Sequence, residues 1–146
     1  MAKTTYRQAD PADALSLLRL LTLMHKEGAP CSLNQVKMAD TIEDVLRRGF
    51  VIVAEAKGDI VGSAAVQKKT YWYSDDVFYS DVWTYVHPAY RKSRIQIKMI
   101  NTLKQCAEED NLPLTVEVFG LNDTSRKNKL VGKLMQPAGE IFVWGF

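Results

Sequence analysis

The sequence predicts an α/β domain in which helices cover a mixed sheet, and three observations carry that prediction. Segments of β-branched and aromatic residues alternate with segments whose apolar residues recur at helical spacing. The β-rich segments 50–56 and 60–71 are joined by Lys57-Gly58-Asp59, a hairpin signal that makes these two strands antiparallel. Around 77–107 a long aromatic strand runs through a basic turn directly into a helix. The order along the chain reads β α α β β β α β α β, which places helices before and after an antiparallel run.

Residues 4–9 form the opening strand. Asp10 then caps a helix with Pro11 at its first position, and Ala14, Leu17, Leu18, Leu21 and Met24 mark its core face until Gly28 stops it. Residues 28–38, with Pro30, Ser32 and Asn34, read as a loop, followed by a second helix capped by Asp40, with Glu43 three residues on and Gly49 at its exit. After the hairpin, residues 72–76 make a polar and aromatic turn, and 77–87 a strand ended by Pro88. From Ile95 the period is helical, with Ile95, Met99, Leu103, Cys106 and Ala107 on one face. A strand over 114–119, a short helix over 123–135 and a last strand over 140–146 complete the chain.

A chain of 146 residues makes one domain, residues 1–146, because at this size about 68–70% of the unfolded surface is buried and one core suffices. No repeat or linker-like tract divides it. With 19 Lys and Arg against 17 Asp and Glu the net charge is only +2, which disfavours nucleic acid as a partner and makes any anion site local. Cys31 and Cys106 match no metal-binding or disulfide pattern, so no metal is expected and a reducing compartment fits. The polar N-terminus and the shortness of every apolar run leave no signal peptide or membrane anchor, so a cytoplasmic location is expected.

The segment from Asp81 to Ile100 carries the chemistry. Ser93 followed by Gln96 has the form of a capping box at a helix start, where free backbone N–H groups and the positive end of the helix dipole meet Arg91, Lys92 and Arg94. That is an anion site of phosphate or pyrophosphate size at the C-terminal end of a strand.

Val86-His-Pro-Ala-Tyr-Arg91, the basic turn and the following helix resemble the acyl-coenzyme A binding motif of the GNAT acetyltransferase superfamily, V-x-P-x-Y-R-x-x-G-x-G/A. The likeness extends over nearly the whole chain, from Tyr6-Arg7-Gln8-Ala9-Asp10-Pro11 through residues 50–63 to 114–122, and in wording it is most similar to small phage-encoded members. It implies a mostly antiparallel mixed sheet with a splay between the fourth and fifth strands, and acetyl-CoA as cosubstrate. In such a site Thr84, Tyr85 and Val86 meet pantetheine through the strand, while Arg91, Lys92, Ser93, Arg94, Ile95 and Gln96 hold pyrophosphate. Asn122 matches the family's asparagine after the fifth strand and Ser125 the small residue of the next turn. The implied reaction is direct attack of a primary amine on the thioester, with no metal and with no acceptor specified; a homodimer is compatible.

Three departures stand out. Arg94 and Gln96 replace the motif's glycines, and Val131 aligns approximately with the family tyrosine that protonates the leaving thiolate. They motivate an alternative function, a catalytically impaired protein that binds CoA or a protein partner. For the general base the fourth strand offers Asp81, weighed against a solvated strand carboxylate. His87, before Pro88, and His25, at a helix end, read as structural. The aromatics Tyr71, Trp72, Tyr73, Phe78, Tyr79, Trp83 and Tyr85 divide between core and a candidate acceptor cleft.

Overall fold

In the computed structural model, which describes residues 3–120 and 124–145, the strands are β1 (Thr5–Gln8), β2 (Phe50–Ala56), β3 (Asp59–Thr70), β4 (Val77–Val86) and β5 (Leu114–Thr115). They form one sheet in the order β1-β2-β3-β4-β5, antiparallel throughout except for the parallel β4–β5 pair. Between β2 and β3, Lys57 and Gly58 both take positive φ, 53° and 81°, the two-residue turn whose twist matches a hairpin. The sheet is thus mixed and mostly antiparallel, as the sequence predicts.

Period-two alternation sorts the side chains to two cores. Val51, Val53, Ala65, Trp83 and Tyr85 face helices α1 (Ala14–Lys26) and α2 (Gln35–Arg48), which contribute Leu17, Leu20, Leu21, Ile42 and Val45. Ile52, Ala54, Ala64, Val66, Tyr79 and Val86 face α3 (Ile95–Glu109), which contributes Ile95, Met99, Leu103 and Ala107. Both faces of β2 are therefore covered, and that is why its sequence is apolar almost without interruption. Between the layers, the Trp83 indole N–H donates to Ser63 Oγ at 2.9 Å and Ser63 donates to the Ile52 carbonyl at 2.9 Å, so these buried polar groups are paired.

Three expectations about element bounds need correction. Helix α2 starts at Gln35, not beyond Asp40, because the Asn34 side chain caps it by accepting from the Lys37 N–H at 3.0 Å. The fifth strand is only Leu114–Thr115 rather than 114–119, since β4 turns its next pairing partner into the Asp81 side chain, which takes the Glu117 N–H at 3.1 Å. Residues 140–145 form no strand and stand exposed; the two-residue β5 presents too short an edge for them to pair with. The last helix, α4, spans Ser125–Leu134. Among the described residues no helix is long and apolar enough to cross a membrane.

At the other end of the sheet, Asp13 takes two hydrogen bonds from the Arg7 guanidinium, 2.7 and 2.8 Å, and one from the Asp10 N–H at 2.9 Å, while Arg7 also pairs with Glu55. The Arg7 bonds hold the Asp13 carboxyl below its ordinary range against the opposing effect of burial. Asp13→Asn is expected to cost about 1–2 kcal/mol in urea denaturation, the value for a charged hydrogen bond discounted for the exposure of Arg7. The sign for a depressed carboxyl follows: this contribution is complete above about pH 4 and is lost as pH falls through the lower folded value, so the gap between wild type and variant closes on acidification.

Candidate functional site

Strand β5 leaves β4 after Ser80–Thr115, so the C-terminal half of β4 has an open edge. Which residues face that edge follows from one bond. The His87 N–H donates to the Val61 carbonyl at 2.8 Å, and because N–H and C=O of one strand residue point the same way and alternate, Tyr85 is turned toward β3 while Thr84 and Val86 face the opening. Of the three strand residues expected to meet a ligand through the main chain, Tyr85 is therefore corrected: its backbone is engaged by Ser63, the residue opposite. Its ring faces α1 instead, with the hydroxyl donating to Glu27 and the Arg91 guanidinium 5.3 Å from the ring centre.

Both carbonyls at the open edge carry a cation. Lys127, reaching in from α4, donates from Nζ to the Thr84 carbonyl at 2.9 Å, and Arg91 donates from Nε to the Val86 carbonyl at 3.1 Å. Arg91 also pairs with Glu27 at 2.6 Å, so its charge is balanced by the C-terminal end of α1. Arg126 adds a bond to the Arg91 carbonyl at 2.9 Å. Neither Lys127 nor Glu27 is placed in this site by the sequence reading. Glu27 lies 64 positions from Arg91 and nothing local marks it. Lys127 stands one helical turn before Val131, a spacing that places both on one face of α4 and that could have drawn attention to it.

The basic turn differs in detail from expectation. Helix α3 begins at Ile95 with Arg94 as its cap residue, which makes Gln96 the second helical residue and leaves Ser93 one position too early for a capping box. Ser93 Oγ instead donates to the Tyr90 carbonyl and accepts from the Ile95 N–H at 3.3 Å. The Arg91 and Ser93 N–H groups are spent on Pro88 and Tyr90, so the outward donors are those of Lys92, Arg94 and Gln96. The side chains of Lys92 and Arg94 are exposed, and no described residue forms an ion pair with either. On this same face of the sheet Thr84 Oγ1 and Gln96 Nε2 are buried without a hydrogen-bond partner, an arrangement that suits a ligand carrying its own donors and acceptors.

Asp81 sits where the splay begins. Burial pushes its carboxyl up to about 6, opposed by the Glu117 N–H bond and by the charges of Lys127 and Lys69, while the Glu117 charge adds to the rise. Burial pushes Lys127 down, with Asp81 acting against that and Arg91 with it. Each of the two groups acts on the other's charge, and such displaced pKa values mark both as candidates for a function beyond packing.

The remaining candidates are placed as follows. Ser125 is the exposed first residue of α4, and Asn122 lies outside the described residues. Val131 is buried and lines a cavity of about 690 Å³ beyond β5, together with Thr115, Phe119, Asn128 and Val143. His87 Nδ1 accepts from the Ala89 N–H at 3.1 Å and caps the turn after β4, while His25 bonds the Cys31 carbonyl; both are structural. Phe78, Tyr79, Trp83 and Tyr85 are buried, whereas Tyr71, Trp72 and Tyr73 are exposed at the β3–β4 end.

No protein-family model and no curated protein matches this chain in sequence. Solved structures do match it in shape. A Clostridium acetobutylicum protein described as a predicted acetyltransferase with acetyl-CoA superposes with a TM-score of 0.74 at 19% identity, covering 98% of this chain and 96% of that one. The GCN5-related N-acetyltransferase of Ralstonia eutropha JMP134 gives 0.72 at 18% identity, covering 97% of each. An aminoglycoside acetyltransferase from an uncultured soil metagenomic sample, solved with sisomicin, gives 0.68 at 17% identity, covering 98% of this chain and 93% of that one. None of these descriptions adds to the likeness to phage-encoded members. At such identities what is shared is the architecture: over 97–98% of its length the chain has the fold of the GNAT acetyltransferases.

Proposed function

We propose that the protein transfers an acetyl group from acetyl-CoA to a primary amine by direct attack. The observation that carries this reading is the splay: an open β4 edge at Thr84 and Val86, outward N–H groups at the start of α3 beside Lys92 and Arg94, and Asp81 at its inner end. Thr84 and Val86 bind the extended pantetheine arm, and Lys92, Arg94 and Gln96 hold the pyrophosphate with the helix dipole behind them. Arg94 and Gln96, where the family has glycines, keep the ligand from the closest backbone approach and supply side-chain donors in its place. Asp81 takes the proton of the attacking amine, directly or through water, and the β4 backbone stabilises the developing oxyanion. Binding of acetyl-CoA and an amine by the solved structures of this fold supports the same reading.

A second reading, CoA or partner binding without catalysis, is favoured by Lys127 and Arg91, which hold the two carbonyls that pantetheine would meet. Calorimetry with acetyl-CoA followed by turnover over an amine panel separates the two. Binding with transfer is expected; tight binding without transfer to any amine supports the second reading, and no binding removes both. Arg94→Glu is expected to weaken acetyl-CoA about 10-fold, the scale of one charged hydrogen bond, without changing the melting temperature of the free protein. An unchanged dissociation constant would take Arg94 out of the site.

A further inference from the structure

We infer that Lys127 is the acid of this site, protonating the CoA sulfur as it leaves. The inference rests on the acetyl-transfer reading above and deepens it. Three observations lead to it. First, Val131, which the resemblance aligns approximately with the family's tyrosine, has no proton to give and lines the cavity beyond β5. Second, Lys127 lies one turn earlier on α4 and reaches the β4 edge, donating to the Thr84 carbonyl at 2.9 Å. Third, an ammonium has three N–H bonds and one suffices for Thr84, so a ligand beside that carbonyl meets a proton donor.

The step balances within the site. The amine nitrogen forms a bond to the thioester carbonyl carbon, the C–S bond breaks, and its electron pair goes to sulfur. Lys127 gives a proton to that sulfur and becomes neutral, while Asp81 receives the proton lost by the amine. Asp81 then returns a proton to Lys127, directly or through water, so the products are an amide and the free thiol and the protein is unchanged. The charged groups that face Lys127 are Asp81 from β4 and Arg91 from the basic turn, with Glu117 and Lys69 acting on Asp81 in turn. Burial and Arg91 make the ammonium a stronger acid than an exposed lysine, which favours the transfer.

The test compares wild type with Lys127→Arg and Lys127→Met. Arginine keeps the charge and can still bond the Thr84 carbonyl, but it does not release its proton near neutral pH. Both variants are expected to bind acetyl-CoA in calorimetry within about threefold of wild type and to turn over about 100-fold more slowly. The wild-type rate should fall at alkaline pH as Lys127 loses its proton, and that limb should be absent from both variants. Wild-type turnover by Lys127→Arg would overturn the inference and leave Lys127 a tether. So would loss of acetyl-CoA binding in both variants, which would make it a binding group. Failure of the wild-type protein itself to bind or transfer would instead overturn the acetyl-transfer reading, and the inference with it.

Discussion

Turnover of Asp81→Asn is expected to fall about 100-fold, the low end of the range for removing a general base, with little change in the affinity for acetyl-CoA. The asparagine oxygen can still accept the Glu117 N–H that Asp81 holds at 3.1 Å, so the start of the splay keeps its shape. The pH profile supplies an independent check. A base must be deprotonated, so wild-type activity should be lost as pH falls through about 6, where burial has moved the Asp81 carboxyl, and the variant should lack that limb. Stability moves the other way. A carboxyl raised by burial contributes its stability below its unfolded value and loses it as pH rises through about 6, so above that pH the neutral variant should melt no earlier than wild type. Equal turnover with an unaltered profile would reduce Asp81 to a half-buried strand carboxylate.

Gly49→Ala is the substitution expected to damage the fold most for its size. Gly49 ends α2 with φ −105° and ψ −163°, extended values open to any residue, so a left-handed cap is not the reason for glycine here. Space is the reason. A Cβ at this position would lie inside the contact distance of the Val66 carbonyl oxygen and 3.0 Å from the Val45 carbonyl oxygen, both of them backbone atoms that cannot swing away. The α2–β2 corner would have to shift off β3, at a cost of about 1–3 kcal/mol typical of overpacking. Urea denaturation measures it, and Gly132→Ala serves as the control: it lies in α4 with open space around its added Cβ, so the same change there should be neutral or mildly stabilising. Equal stability of the Gly49 variant and wild type would refute the close approach.

What the sequence by itself determined about this protein is what local chemistry determines. The hairpin was legible because Lys57-Gly58-Asp59 separates two β-rich segments and Gly58 takes its positive φ without steric cost. The sheet and its helices were legible because the apolar period switches cleanly between two and 3.6. The anion turn was legible because strand, Pro88, basic residues and helix are contiguous between Val86 and Gln96. Asp81 was visible as a candidate by its strand, but its displaced pKa was not, since that comes from burial, which outweighs the opposing hydrogen bond from the Glu117 main chain 36 positions away. Bounds set by competing short-range signals were read less well: Asn34 outcompeted Asp40 as the cap of α2, and Ser93 lost its capping box to a one-residue shift in the start of α3. Only the tertiary structure decided which backbone groups the site presents. Turning Tyr85 toward β3 and Thr84 and Val86 toward the opening depends on the phase of the β3–β4 register, which no residue of β4 encodes alone. Placing Lys127 on Thr84 and Glu27 on Arg91 depends on bringing α4 to the β4 edge and the end of α1 to the turn after β4, contacts spanning 43 and 64 positions. Hydrogen-bond pairing across such distances is fixed by how layers pack, and packing is a property of the whole chain rather than of any segment.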